Sequence, residues 1–103
     1  MIARTWRGRA SPDKPEDYVR HFNGSVLTEL REIDGFRGAT LMRRRRAADI
    51  EFFVVTRWES LEAIEAFAGE DYERAVVEPG AVAALIGFDE TVAHYEVVSS
   101  VEA

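Results

Sequence analysis

The sequence contains no cysteine. A disulfide framework, a thiolate metal site and a thiol nucleophile are therefore all excluded. It has only two histidines; His21 and His94 lie far apart with no carboxylate at ligand spacing, so the sequence offers no metal site. Long apolar runs are missing too, and none approaches the roughly 20 residues of a membrane-crossing helix. Met1 to Ala10 alternates charged and apolar residues and lacks the apolar block of a signal peptide. A cytoplasmic protein without a membrane partner is the expectation. Net positive charge is absent, the formal value being −6, whereas nucleic-acid binding needs a positive surface to release phosphate counterions. Nucleic acid is accordingly not an expected partner. The glycines at 24, 35, 38, 69, 80 and 87 never take GxGxxG spacing, and there is no phosphate loop or Ser/His/Asp arrangement. Nucleotide-linked hydride transfer and P-loop chemistry have no support.

What is present suits one domain over residues 1–103: the chain has 103 residues, 47% of them hydrophobic, and no linker or solenoid repeat. Ile2 to Arg9 reads as a first strand. Ser11-Pro12 breaks it, and Asp13 with Glu16 has capping-box spacing before Pro15. Tyr18, Phe22, Val26, Leu30 and Ile33 then make one apolar helix face, ended by Gly35. Gly24 costs that helix about 1 kcal/mol relative to Ala. Phe36–Arg44 and Ile50–Trp58 form a hairpin joined near Arg46–Asp49. Ser60 caps a helix over Leu61–Ala68 that Gly69 stops. Asp71 caps a second short helix through Val77, Pro79 opens a third ending near Gly87, and Phe88–Val98 closes the chain as a strand. The order is βαββαβ with a broken second helix. That is a ferredoxin-like α+β fold, an antiparallel sheet with helices on one face.

Phe52, Phe53, Val54 and Val55 form an unbroken apolar run, which implies that both faces of this strand are covered. One layer of helices covers only one face. A second copy of the chain is the expected cover, and a small domain gains most from such burial.

Trp58-Glu59-Ser60, Leu61-Glu62-Ala63-Ile64, Phe67-Ala68-Gly69, Tyr72 and Ala75-Val76 together resemble the antibiotic biosynthesis monooxygenase-like family. Asp34-Gly35-Phe36 and Val92-Ala93-His94-Tyr95-Glu96-Val97 extend the resemblance, which runs from Ile2 to about Val98. It implies a dimeric α+β barrel with a ligand cleft in each subunit between sheet and helices. The family includes cofactor-independent oxygenases of phenols, quinol-oxidising proteins and haem-degrading enzymes, and fold resemblance alone does not choose among them. The haem-degrading branch carries an Asn in the first strand, a Trp after the hairpin and a ligating His about ten residues later. Here those places fall near Arg7, at Phe67 and at Val77. None matches, which disfavours haem unless His21 or His94 supplies the ligand from elsewhere.

The expected activity is therefore a cofactor-independent oxygenase acting on a phenolic or quinol ligand. It would need a base, an apolar cage and stabilisation of an anion. His94 is the candidate base or hydrogen-bond partner. Trp6 and Trp58 are candidates for the cage, Arg4 or Arg7 for the anion, and Tyr72 for a hydroxyl at the cleft mouth. Each also has a structural reading: His94 as a sheet histidine, Trp58 and Tyr72 as packing. His21 falls off the apolar stripe and reads as a flank residue. Arg43–Arg46 reads as a solvated hairpin end. A small-molecule binding or sensing dimer without catalysis is the competing function, and a dimer kept only for assembly is a third.

Overall fold

Alternation along the first strand decides where the site lies. In the computed structural model, which describes Met1–Ala103, strand β1 (Ile2–Ala10) is central and pairs antiparallel with β3 (Ile50–Trp58) along its whole length. β2 (Phe36–Arg45) flanks β3, while β4 (Gly87–Phe88) and β5 (Ala93–Glu96) share the other edge of β1. The order β2-β3-β1-β4/β5, antiparallel throughout, is the expected ferredoxin-like sheet. Ile50, Phe52, Val54 and Trp58 are buried beneath the helices, whereas Phe53 and Val55 point to the face without helices and stay half-buried. The unbroken apolar run thus divides between two faces, as a strand's period of two requires.

The first helix runs from α1 (Pro15–His21) through a π-helical turn (Phe22–Val26) into α2 (Leu27–Leu30). Its stripe explains the wide turn. Apolar residues spaced by four drift about 40° per step around an α-helix of 3.6 residues per turn. A π turn holds more residues per turn, absorbs the drift, and keeps Tyr18, Phe22 and Leu30 all buried. The expected Asp13/Glu16 capping box does not form: Lys14 is the N-cap without a side-chain bond, and the Asp13 N–H donates instead to Ser11 Oγ. The α-helical part also stops before Ile33, whose N–H bonds to the Leu30 carbonyl in a tighter turn. Gly35, at φ +89°, then lets the backbone pass so close to α3 (Leu61–Ala68) that a Cβ would stand 2.5 Å from that of Ala63. Ser60 caps α3 as expected, its hydroxyl accepting from the Ala63 N–H at 3.2 Å.

Two expectations fail together beyond Gly69. No helix forms over Asp71–Val77, and the last strand is split into β4 and β5. The cause is shared. The Ala75 N–H donates to the Glu90 carbonyl and the Val92 N–H to Glu73, with Arg74 bridging Thr91. Backbone groups used across the two segments are lost to helix and strand alike. After this crossing comes α4 (Pro79–Ala84). The arginine run is a salt-bridged hairpin end, with Arg43 on Glu16 at 2.5 Å, Arg44 on Glu51 at 2.6 Å and Arg46 forked on Asp49 at 2.7 and 2.8 Å. No helix is long and apolar enough to cross a membrane.

Candidate functional site

Strand register brings the site together. Arg4 lies opposite His94 across the β1–β5 pair, and both project to the helix-covered face, as does Trp6 two residues on. The crossed segment around Tyr72–Ala75 lies over them. Against Arg4 and Trp6, between sheet and helices, lie two small cavities, of about 80 and 40 Å³. Both are walled by Trp6, Val26, Leu30, Phe67 and Val76. Arg4 lines the first, and His21, Glu29 and Glu78 line the second.

Arg4 is 5% exposed. Its Nη1 donates to the Tyr72 carbonyl at 2.5 Å and to His94 Nε2 at 2.9 Å, and its Nη2 donates to the Arg74 carbonyl at 3.1 Å. The guanidinium carbon stands 5.8 Å from the centre of the Phe67 ring. No carboxylate makes a salt bridge to it; burial alone brings its pKa down to about 10. A guanidinium has five N–H donors and no acceptor, so at least one Nη2 hydrogen and the Nε hydrogen remain uncommitted. Because arginine can only donate, His94 Nε2 must accept. That makes the ring neutral, with its proton on Nδ1. Burial and then the Arg4 charge push the His94 pKa below the usual imidazole value, with Glu73 acting weakly the other way. The Tyr72 ring packs edge-on to His94, centroids 5.5 Å apart. Trp6 donates from Nε1 to the Asp89 carbonyl at 2.7 Å, which fixes its indole against the cleft.

Of the six expected residues, Arg4 and Trp6 line the cavities, and Tyr72 and His94 are joined to them through Arg4. Tyr72 takes part through its carbonyl and ring edge, not its hydroxyl. The other two do not join them. Trp58 is 0% exposed, bonds Thr56 Oγ1 at 2.8 Å and stacks on Phe67 at 5.3 Å, so it backs the wall without touching the space inside. Arg7 points to the opposite face of the sheet, 4.5 Å over the Phe53 ring and 3.7 Å from Glu51. Strand alternation forbids Trp6 and Arg7 from sharing a face. His21 corrects the flank expectation: its side chain is only 12% exposed, and it faces Glu78. The hint in the sequence was Pro79-Gly80, a small residue that lets another element come close. No group of three or more His, Cys, Asp or Glu is placed to hold a metal ion.

The family model for antibiotic biosynthesis monooxygenase matches residues 1–79. The chain belongs to this family. Solved structures of the same fold agree over nearly the whole length. A Bacillus cereus protein described as an antibiotic biosynthesis monooxygenase is 24% identical, with TM-score 0.68, over 99% of this chain and 97% of its own. A haem degrader from Mycobacterium tuberculosis with two haems in its active site is 22% identical, TM-score 0.64, over 99% and 100%. A Streptomyces coelicolor monooxygenase in complex with Nanaomycin D is 18% identical, TM-score 0.62, over 99% and 90%. At these identities the likeness is one of fold. A search of the curated proteins gives no match.

Antibiotic biosynthesis monooxygenase-type chains include both oxygenases and haem degraders. Phe67 and Val77, where the haem branch has Trp and His, both line the smaller cavity, and Val77 has no donor atom. The acceptor nitrogen of His94 is already bonded to Arg4. His21 Nε2 faces the Glu78 carboxylate at 3.4 Å.

Proposed function

We propose that this protein is a cofactor-independent oxygenase of a phenolic or quinol molecule, bound between sheet and helices beside Arg4, His94 and Trp6. One observation carries the reading: Arg4 is a buried cation with no acidic partner, set in an apolar cleft. Burying an unpaired charge is costly. An aromatic oxyanion supplies the missing charge, and the rings of Trp6 and Phe67 suit its apolar body. The Streptomyces coelicolor monooxygenase with Nanaomycin D bound, a fold neighbour, is in keeping with it.

The chemistry needs only dioxygen. A deprotonated hydroquinone adds O2 at a ring carbon that bears hydrogen, and the hydroperoxide loses water to leave a hydroxyquinone. Alternatively, a phenolate with an activated CH2 adds O2 at that carbon, and the hydroperoxide loses water to leave a carbonyl. One oxygen atom then stays in the product and the other departs as water. The protein's share is to favour the anion, and the free N–H groups of Arg4 stand where that charge develops. Neutral His94 fixes the guanidinium from behind.

The working unit in this reading is a homodimer, with the second copy covering the face that carries Phe53, Val55, Met42 and Tyr95; Met42 and Tyr95 are 45% and 59% exposed. A non-catalytic binding or sensing dimer is the second reading, favoured by one fact: the acceptor of His94 is engaged, so no free base stands beside the cation. Oxygen uptake with a panel of phenols and hydroquinones decides. Uptake above the spontaneous rate is expected. No uptake, with raised melting temperature on adding the same compounds, favours the binding module.

A further inference from the structure

The far end of the cleft holds a second polar group that the mechanism above leaves unused. His21 ends α1, Glu29 lies in α2 and Glu78 precedes α4. His21 Nε2 is 3.4 Å from Glu78 Oε1, yet makes no hydrogen bond and is shielded from water. The ring's position is set by backbone. A Cβ at Gly80 would stand 2.6 Å from His21 Nδ1 and 2.7 Å from Cε1, so only glycine admits the imidazole there. Glu29 lines the same cavity as Glu78 and raises its proton affinity.

The groups facing this cluster are few. Burial and Glu29 hold the Glu78 carboxyl above the usual carboxylate range, and His21 acts the other way. Tyr18, also in α1, has its hydroxyl pushed up by burial and by Glu78, so it stays protonated. No lysine or arginine acts on Glu78. Two carboxyls and one imidazole thus line one end of the cleft, all of them groups that can take and give a proton. The Arg4 cavity and this one share five wall residues and so adjoin each other.

We infer that His21, Glu78 and Glu29 form the proton-accepting end of the cleft, taking the hydroxyl proton of a hydroquinone whose other oxygen lies at Arg4. The inference rests on the oxygenase reading for its substrate class and narrows it to molecules with hydroxyls at both ends. In the step, the substrate O–H bond breaks, its electron pair stays on oxygen, and the proton passes to the His21–Glu78 pair. Glu29 touches no substrate; it is a positioning residue that sets the proton affinity of Glu78.

The test has an anaerobic arm and an aerobic arm, both using 2,6-dimethoxyhydroquinone. Anaerobically, the His21 ring signal is followed by NMR against pH, with His94→Gln used to assign the two histidines. Its midpoint should move when the hydroquinone is added, and that response should vanish in Glu78→Gln. Aerobically, His21→Gln and Glu78→Gln should lower kcat for oxygen uptake by at least about 10²-fold with little change in KM. Glu29→Gln should move the rising limb of the pH–rate profile to lower pH. A His21 signal indifferent to hydroquinone overturns the inference, as does wild-type kcat and pH profile in folded His21→Gln and Glu29→Gln. If His21 responds but wild type takes up no oxygen, the oxygenase reading falls and the acid–base site stands.

Discussion

Replacing Arg4 with Met keeps most of the side-chain volume and removes the charge, and its effects on stability and on binding should part company. Three hydrogen bonds from a charged donor disappear, each worth on the order of 1.5–3 kcal/mol. Against this, the folded state no longer holds an unpaired buried cation, whose desolvation costs several kcal/mol. The two terms largely cancel, leaving a loss of about 2 kcal/mol or less, a fall in Tm of roughly 10 °C at most. Binding has no such offset. Losing the charge opposite a buried oxyanion should cost about 2–5 kcal/mol, or roughly 30- to 4,000-fold in Kd. The assay is quenching of Trp6 fluorescence by a nitrophenol titrated on either side of its own pKa, with Tm measured alongside. Wild type should bind the phenolate far more tightly than the phenol, and Arg4→Met should bind the two alike. If the folded variant keeps the wild-type preference for the anion, Arg4 is not the anion's partner and the reasoning fails.

Light scattering should give twice the 11.6 kDa chain mass, and Phe53→Glu should halve it; a wild-type monomer at micromolar concentration would remove the second copy from the proposal. Added haem should give no Soret shift of histidine ligation, and a stoichiometric shift abolished by His94→Ala would restore the haem branch. Stability should depend on pH with opposite signs at the two ends of the cleft. His94 has a lowered folded-state pKa, so the unfolded chain takes up its proton first and stability is lost as pH falls below about 6.5, a loss that His94→Gln should relieve. Glu78 has a raised one, so its contribution is present below about 4.5 and lost as pH rises through the folded-state value, a loss that Glu78→Gln should remove; melting curves from pH 4 to 8 read both.

The fold was legible because its elements announce themselves locally: Ser60 and Gly69 bracket α3, and period-two and near-four patterns mark the strands and the first helix. The segment Asp71–Val77 was not legible as irregular, because its backbone partners, Glu73 with Val92 and Ala75 with Glu90, are some 15 to 19 positions apart and leave no local pattern. For the site, alternation along β1 already separates Arg4 and Trp6 from Arg7. The choice of face, however, depends on which side the helices cover. Arg4 and His94 meet only through the β1–β5 register, which pairs the two ends of the chain. His21 stayed hidden for another reason: its burial comes from Gly80 pressing on the ring, not from the apolar stripe of its own helix.

The π turn gives chain length a meaning here that side-chain identity does not have. Gly24 lies within it, and nothing stands within 4 Å of where its Cβ would be, so substitutions there meet no obstacle. Removing one residue there would close the turn into a regular α-helix and leave Tyr18 and Leu30 eleven positions apart, a net rotation of only about 20° at roughly 100° per residue. The stripe would hold, and with it the wall of the cleft. The wide turn is thus the place where the first helix absorbs a change of chain length, and relatives of this fold that differ there by one residue would keep the same face on the sheet.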